Sequence, residues 1–150
     1  KGSPYEGGYR LPCIVRWPGK VPVGRQSDAV FATIDFLPTL AKLSGFEVPS
    51  DRQIDGIDQT DLLMGKSGKG RETFYFDRAG IRKGKWKYLK ADAHFYGYAR
   101  EESRPKEEEL YNLEKDLGEK NNLAKKHPKI LAELRKLTEF MPQDGPGGIR

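Results

Sequence analysis

Apolar residues along the chain follow two periods. In residues 36–43, Phe36, Leu37, Leu40 and Leu43 repeat at helical spacing, with Asp35 placed to cap the start, Pro38 in the first turn and Gly45 just past the end. Ile130, Leu131, Leu134, Leu137 and Met141 mark a second helix over 128–141, opened by His127-Pro128 and stopped by Pro142. Asp58 with Asp61 predicts a short capped helix at Gln59–Met64. Between the long helices the period falls to two. Thr73–Phe76 reads as an aromatic strand, and Gly80–Arg82 and Lys85–Leu89 flank Lys83-Gly84 as a hairpin turn. In the second hairpin strand Trp86 and Tyr88 share one face, and Lys85, Lys87 and Leu89 the other. Glu109–Leu113 is a further strand, and Leu11–Trp17, centred on Cys13-Ile14-Val15, a buried one. The stripe on the 36–43 helix should face a sheet, and the last helix should cover one face of the antiparallel strands.

Between these elements, residues 46–57 are polar and turn-rich, and 92–106 form an irregular excursion around His94. Lys66-Ser-Gly-Lys-Gly-Arg71 reads as an exposed linker, which divides the chain into domains 1–66 and 67–150. Charge follows the same division. Residues 1–65 hold 7 basic and 8 acidic side chains, whereas residues 66–150 hold 20 and 14. Arg78, Arg82, Lys83, Lys85, Lys87 and Lys90 form an acid-free basic run, which fits an edge guarded by lysines better than a nucleic-acid surface. The chain has one cysteine, Cys13, so it holds no internal disulfide, and its apolar neighbours predict a buried filler. No apolar run approaches the roughly 20 residues of a membrane span.

The chain's chemistry gathers at its head. Lys1-Gly-Ser-Pro-Tyr5-Glu6-Gly7-Gly8-Tyr9-Arg10 is a loop with a cation at its start, and its glycines permit positive φ and close backbone approach. Glu6 and Arg10 are spaced to pair across Gly7-Gly8. This stretch with Arg16-Trp-Pro-Gly19, followed in order by Ile34–Leu40, Ile54–Asp58 and Glu109–Leu113, resembles the type I sulfatases over almost the whole chain.

The resemblance implies an α+β reading: the last strand and helix of an alkaline-phosphatase-like α/β domain, then a small antiparallel sheet packed against a C-terminal helix. It assigns Lys1 to the sulfate group, makes Glu6, Gly7, Gly8 and Arg10 the frame of that motif, and makes His94 a candidate substrate contact. It also implies calcium and a formylglycine in the intact enzyme, neither carried here. Cys13 lacks the Cys/Ser-x-Pro-x-Arg context, and no metal-ligand pair is present. The chain begins inside a motif without an initiator Met, so it is expected to be a fragment, inactive alone. The implied partner is a sulfated small molecule or carbohydrate. Neither a membrane nor nucleic acid is expected, and exposed strand surface offers a route to dimers. Family members are expected in periplasm, lysosome or extracellular space. Two other readings remain: a phosphate or phosphonate ester hydrolase of the same superfamily, and a non-catalytic module that binds anionic polymers.

Overall fold

The computed structural model describes residues 2–93 and 104–139. They divide into two compact units, one formed by the described residues of 1–11 and 73–150 and one by 12–72. Met141 and Pro142 lie outside the described residues.

The first, or sheet, unit opens with the single-turn helix α1, Glu6–Tyr9. Strands β1 (Thr73–Phe76), β2 (Gly80–Lys83), β3 (Trp86–Leu89) and β4 (Glu109–Asn112) then form one sheet in the order β1-β2-β3-β4, with every neighbour antiparallel. The final helix runs Pro128–Thr138, with proline in its first turn. We label it α4, after the two helices of the other unit. The hairpin register pairs Lys83 with Trp86, so the two-residue turn is Gly84-Lys85, one position later than expected. Gly84 takes φ +55°, which only glycine enters without penalty, and this fixes the turn.

Alternation along β3 sorts the sheet's two faces. Tyr88 joins Ile81, Leu110, Ala124 and Leu134 in a core, with Trp86, Ile130, Leu131 and Leu137 packed against it, so α4 covers this face as its stripe predicts. On the other face Leu89, Tyr111 and Leu113 form a second cluster against Tyr5.

The second, or hub, unit contains a 3-10 turn at Thr33–Asp35 running into α2 (Phe36–Leu43), and α3 (Thr60–Leu63). Asp58 stands just before α3 and its Oδ1 accepts from the Thr60 amide at 2.9 Å, a turn two residues long and not the side-chain cap that was expected. Four further expectations fail here. Residues 11–17 form no strand and are all exposed: a strand is held by its ladder, and no other strand pairs with this segment among the described residues. Cys13 is therefore exposed, not buried. The α2 stripe finds no sheet within its own unit among the described residues, and Leu37 and Leu40 stay about half exposed. Finally, Asp35 precedes α2 but does not cap it; its carboxylate turns inward, as described below.

Candidate functional site

The Lys1–Arg10 loop is fastened to the sheet by three sets of contacts, all within the sheet unit. Lys1 itself lies outside the described residues, as does His94. The loop reverses tightly at Pro4, which is buried, and α1 begins at once. Gly8 donates to the Tyr5 carbonyl at 2.8 Å. A Cβ at position 8 would stand 2.2 Å from the Ser3 carbonyl oxygen, so only glycine fits. Gly7, by contrast, meets nothing within 4 Å, and the positive φ of this loop falls at Gly2.

The first contact is hydroxyl to carboxylate. Tyr5 Oη donates to Glu109 Oε2 at 2.8 Å, and Tyr111 Oη donates to the same oxygen at 3.0 Å. Burial, and then the Glu109 carboxylate, push the Tyr5 phenol above the usual tyrosine range, so it stays a donor. The second contact is aromatic: Tyr9 sits edge-on against Phe76 at 4.9 Å and against Phe74 at 6.1 Å.

The third contact is ionic and buried. Lys87, fully enclosed, places Nζ 2.9 Å from Glu6 Oε1 and 2.8 Å from Glu119 Oε1, and 4.1 Å from the centre of the Phe76 ring. The other oxygen of Glu119 accepts the Glu6 backbone N–H at 2.5 Å. Burial raises the Glu119 carboxyl above its ordinary range, against the pull of Lys87 and that amide. Around Glu6 Oε2 stand Arg10 Nη1 at 3.8 Å and Arg82 Nη1 at 4.0 Å. Lys87 had been read as an exposed guard on a strand edge. It is buried because β3 is an inner strand, between β2 and β4, and its face lies under α1. The rest of the basic run is also largely engaged: Lys83 with Glu133 at 2.8 Å and Lys85 with Glu114 at 3.7 Å. Lys83 and Lys85 are thus paired within the chain while remaining partly exposed.

The hub unit brings two other motif pieces together. Asp35, fully buried, accepts from the Ala32 amide through Oδ2 and the Ile57 amide through Oδ1, each at 2.9 Å, and from Gln59 Nε2 at 3.2 Å. Arg71 closes the set with Nε and Nη2 on the two carboxylate oxygens. Burial works against the charge, but Arg71, the two amides and Gln59 outweigh it and hold the carboxyl below the usual range. Asp35 thus ties Ile34–Leu40 to Ile54–Asp58. It also ties down the end of the 66–71 stretch, which was expected to be an exposed linker: Lys66, Gly68 and Lys69 are exposed, but Arg71 is half-buried on Asp35.

Sequence reasoning found the loop but missed Lys87, Glu119, Tyr5 and Arg71. No local signal marked them: Lys87 shares its face of the strand with Lys85, and its carboxylate partners are distant in sequence.

The chain matches the family model "N-sulphoglucosamine sulphohydrolase, C-terminal" over residues 1–143. It belongs to the sulfatase family, as its C-terminal region. It is 38% identical over 146 residues to the N-acetylgalactosamine-6-O-sulfatase of Bacteroides thetaiotaomicron, covering 93% of this chain and 28% of that protein. A solved structure concerned with metabolism of multiple glycosaminoglycans by the same organism superposes with a TM-score of 0.77 at 37% identity, over 93% of this chain and 30% of that one. Another, solved in complex with its substrate D-glucosamine-2-N,6-O-disulfate, superposes with a TM-score of 0.61 at 29% identity, over 84% of this chain and 26% of that one. This sulfatase C-terminal region therefore spans under a third of the length of these relatives.

Among its described residues no group of three His, Cys, Asp or Glu side chains could hold a metal ion. Cys13 is followed by Ile-Val-Arg, without the proline that formylglycine formation requires in the family motif. Neither the calcium nor the formylglycine that the family implies finds fitting residues among those described. Among the described residues no helix is long and apolar enough to cross a membrane.

Proposed function

We propose that this chain is the C-terminal part of an enzyme that hydrolyses sulfate monoesters, and that its substrate is a 6-O-sulfated amino sugar. Similarity to the N-acetylgalactosamine-6-O-sulfatase, at 38% identity over nearly the full chain, carries this reading. The relative solved with a 6-O-sulfated glucosamine supports the same class of sugar. In this reading Lys1 binds the sulfate. A sulfate monoester carries one negative charge, and more gathers on its oxygens as the S–O bond breaks. An ammonium at those oxygens makes charge-assisted hydrogen bonds of about 1.5–3 kcal/mol each, which raise the rate to the extent that they strengthen in the transition state. Glu6, Gly8 and Arg10 hold the loop that bears it. The nucleophile and the calcium belong to the remainder of the enzyme. So does the surface that covers the exposed apolar face of residues 12–72, where Ile14 and Leu37 are 92% and 53% exposed.

The test is release of sulfate by the longer protein that contains this chain. N-acetylgalactosamine 6-sulfate should turn over, and Lys1→Ala should lower kcat/KM by about 10²–10³-fold, as removal of one transition-state donor does. The 150 residues alone should release no sulfate. Preference for a phosphate monoester over every sulfate ester offered would transfer the reading to the phosphate hydrolases.

A further inference from the structure

We propose that Lys87 is a positioning residue for the Lys1 loop: through Glu6 and Glu119 its buried ammonium fixes where α1 starts, and hence where Lys1 is presented. The functional part of this inference rests on the sulfatase reading; the structural part does not.

The arrangement is particular. An ammonium enclosed in protein is costly, by several kcal/mol before its partners offset it. An apolar side chain would fill the same space, as Leu89 and Tyr111 do beside it in the sheet's second cluster. What an apolar residue cannot do is set direction. Lys87 takes one oxygen from each carboxylate, at 2.9 Å from Glu6 and 2.8 Å from Glu119. Glu119 then takes the Glu6 N–H on its second oxygen, so the first residue of α1 is gripped by both its side chain and its backbone. Phe76 stands against the ammonium, and Arg10 and Arg82 near the far oxygen of Glu6 limit its rotation. Glu6 is five residues from Lys1, across a segment whose reversal is fixed by buried Pro4 and by Gly8 against Ser3. A displacement of about 1 Å at a group bound to the reacting centre costs about 10²-fold in rate.

Removing the lysine alone would strand two buried carboxylates, so Lys87→Met by itself can fail to fold. The informative variant is the triple Lys87→Met, Glu6→Gln, Glu119→Gln, which removes the buried ammonium together with both carboxylates that it pairs with and leaves only Arg10 and Arg82, each partly open to solvent, beside position 6. In the 150-residue chain it is expected to keep slow hydrogen exchange in β2 and β3, while the Gly8–Arg10 amides exchange at least about 10²-fold faster. In the longer enzyme the same triple should lower kcat for the sulfated sugar about 100-fold with KM within about threefold, because the contact matters most in the transition state.

Unchanged exchange at Gly8–Arg10 in a variant with an intact sheet overturns the proposal. So does a triple variant that does not fold, since the cluster would then serve stability alone. Loosened amides with unchanged kcat in an active enzyme also overturn it. If the unaltered longer protein cleaves no sulfate ester, the sulfatase reading has failed instead, and hydrogen exchange still decides whether Lys87 holds the loop.

Discussion

The two units of this chain are held together by opposite means. In the sheet unit Ile81, Leu89 and Leu110 are fully buried, and a helix closes one face over them. In residues 12–72 the only buried hydrophobic side chain among the described residues is Leu62, and the other enclosed side chains are Asp35, Thr39, Gln59 and Thr60. Many of the large apolar side chains there lie outside: Val23 is fully exposed, and Phe46 is 73% exposed. One unit folds by excluding water from hydrocarbon; the other is a set of loops and short helices gathered by hydrogen bonds around one carboxylate. An apolar stripe records that a face must be covered. It does not record by what, and the described residues of 12–72 include no strand that could cover α2.

The contrast can be broken at each centre. Each unit has its own tryptophan, Trp17 in the hub unit and Trp86 in the sheet unit, so single-tryptophan variants report on them separately. The largest effect is expected from Arg71→Ala, which leaves Asp35 buried and unpaired. It should destabilise the hub unit by about 3–5 kcal/mol, enough to abolish its transition in a Trp17 denaturation curve while that of Trp86 stays in place. Next comes Leu134→Ala, at a side chain only 2% exposed. It should cost about 2–5 kcal/mol, read from Trp86 alone. If either substitution moves both reporters together, the units do not fold independently.

Acid should separate them further. Asp35, with Asp58 and Asp51, has its folded pKa lowered, so the stabilisation is present above the ordinary carboxylate range and is lost as pH falls through the folded values. In the sheet unit Glu108 and Asp116 act in that same direction, but Glu119 is raised and acts oppositely, its contribution to stability falling as pH rises through its folded pKa. Denaturation midpoints between pH 7 and pH 3 should therefore drop more steeply for Trp17 than for Trp86, and Glu119→Gln should steepen the Trp86 curve. The smallest change is expected at Lys83, whose ion pair with Glu133 is substantially exposed. Lys83→Ala should shift stability by about 0.5 kcal/mol or less, a shift that 0.5 M salt largely removes.

Most of the sheet unit was legible from alternation and turn chemistry. Trp86 and Tyr88 point to α4, and β4 begins at Glu109 as expected, because such patterns report local geometry directly. The Gly84-Lys85 turn was missed by one position because Lys83 and Lys85 are equally acceptable flanks; the ladder's register decides between them. Lys87 was misread for a different reason. Its partners Glu6 and Glu119 lie far along the chain in both directions, and no local pattern distinguishes a lysine that will meet two carboxylates from one that will meet water. Asp35 shows the same limit. Its position before α2 is the position of a cap, and only the return of Ile57, Gln59 and Arg71 gives it another use.

Glu119 adopts a left-handed backbone, φ +53°, which most residues with a side chain avoid. Glycine would accept that geometry freely but offers no oxygen to the lysine. Aspartate tolerates it better than glutamate does, yet its carboxylate is one methylene too short to reach the same atoms. Screening all substitutions at this position should thus return two disjoint sets of winners: one that melts later, and one that keeps the first helix seated.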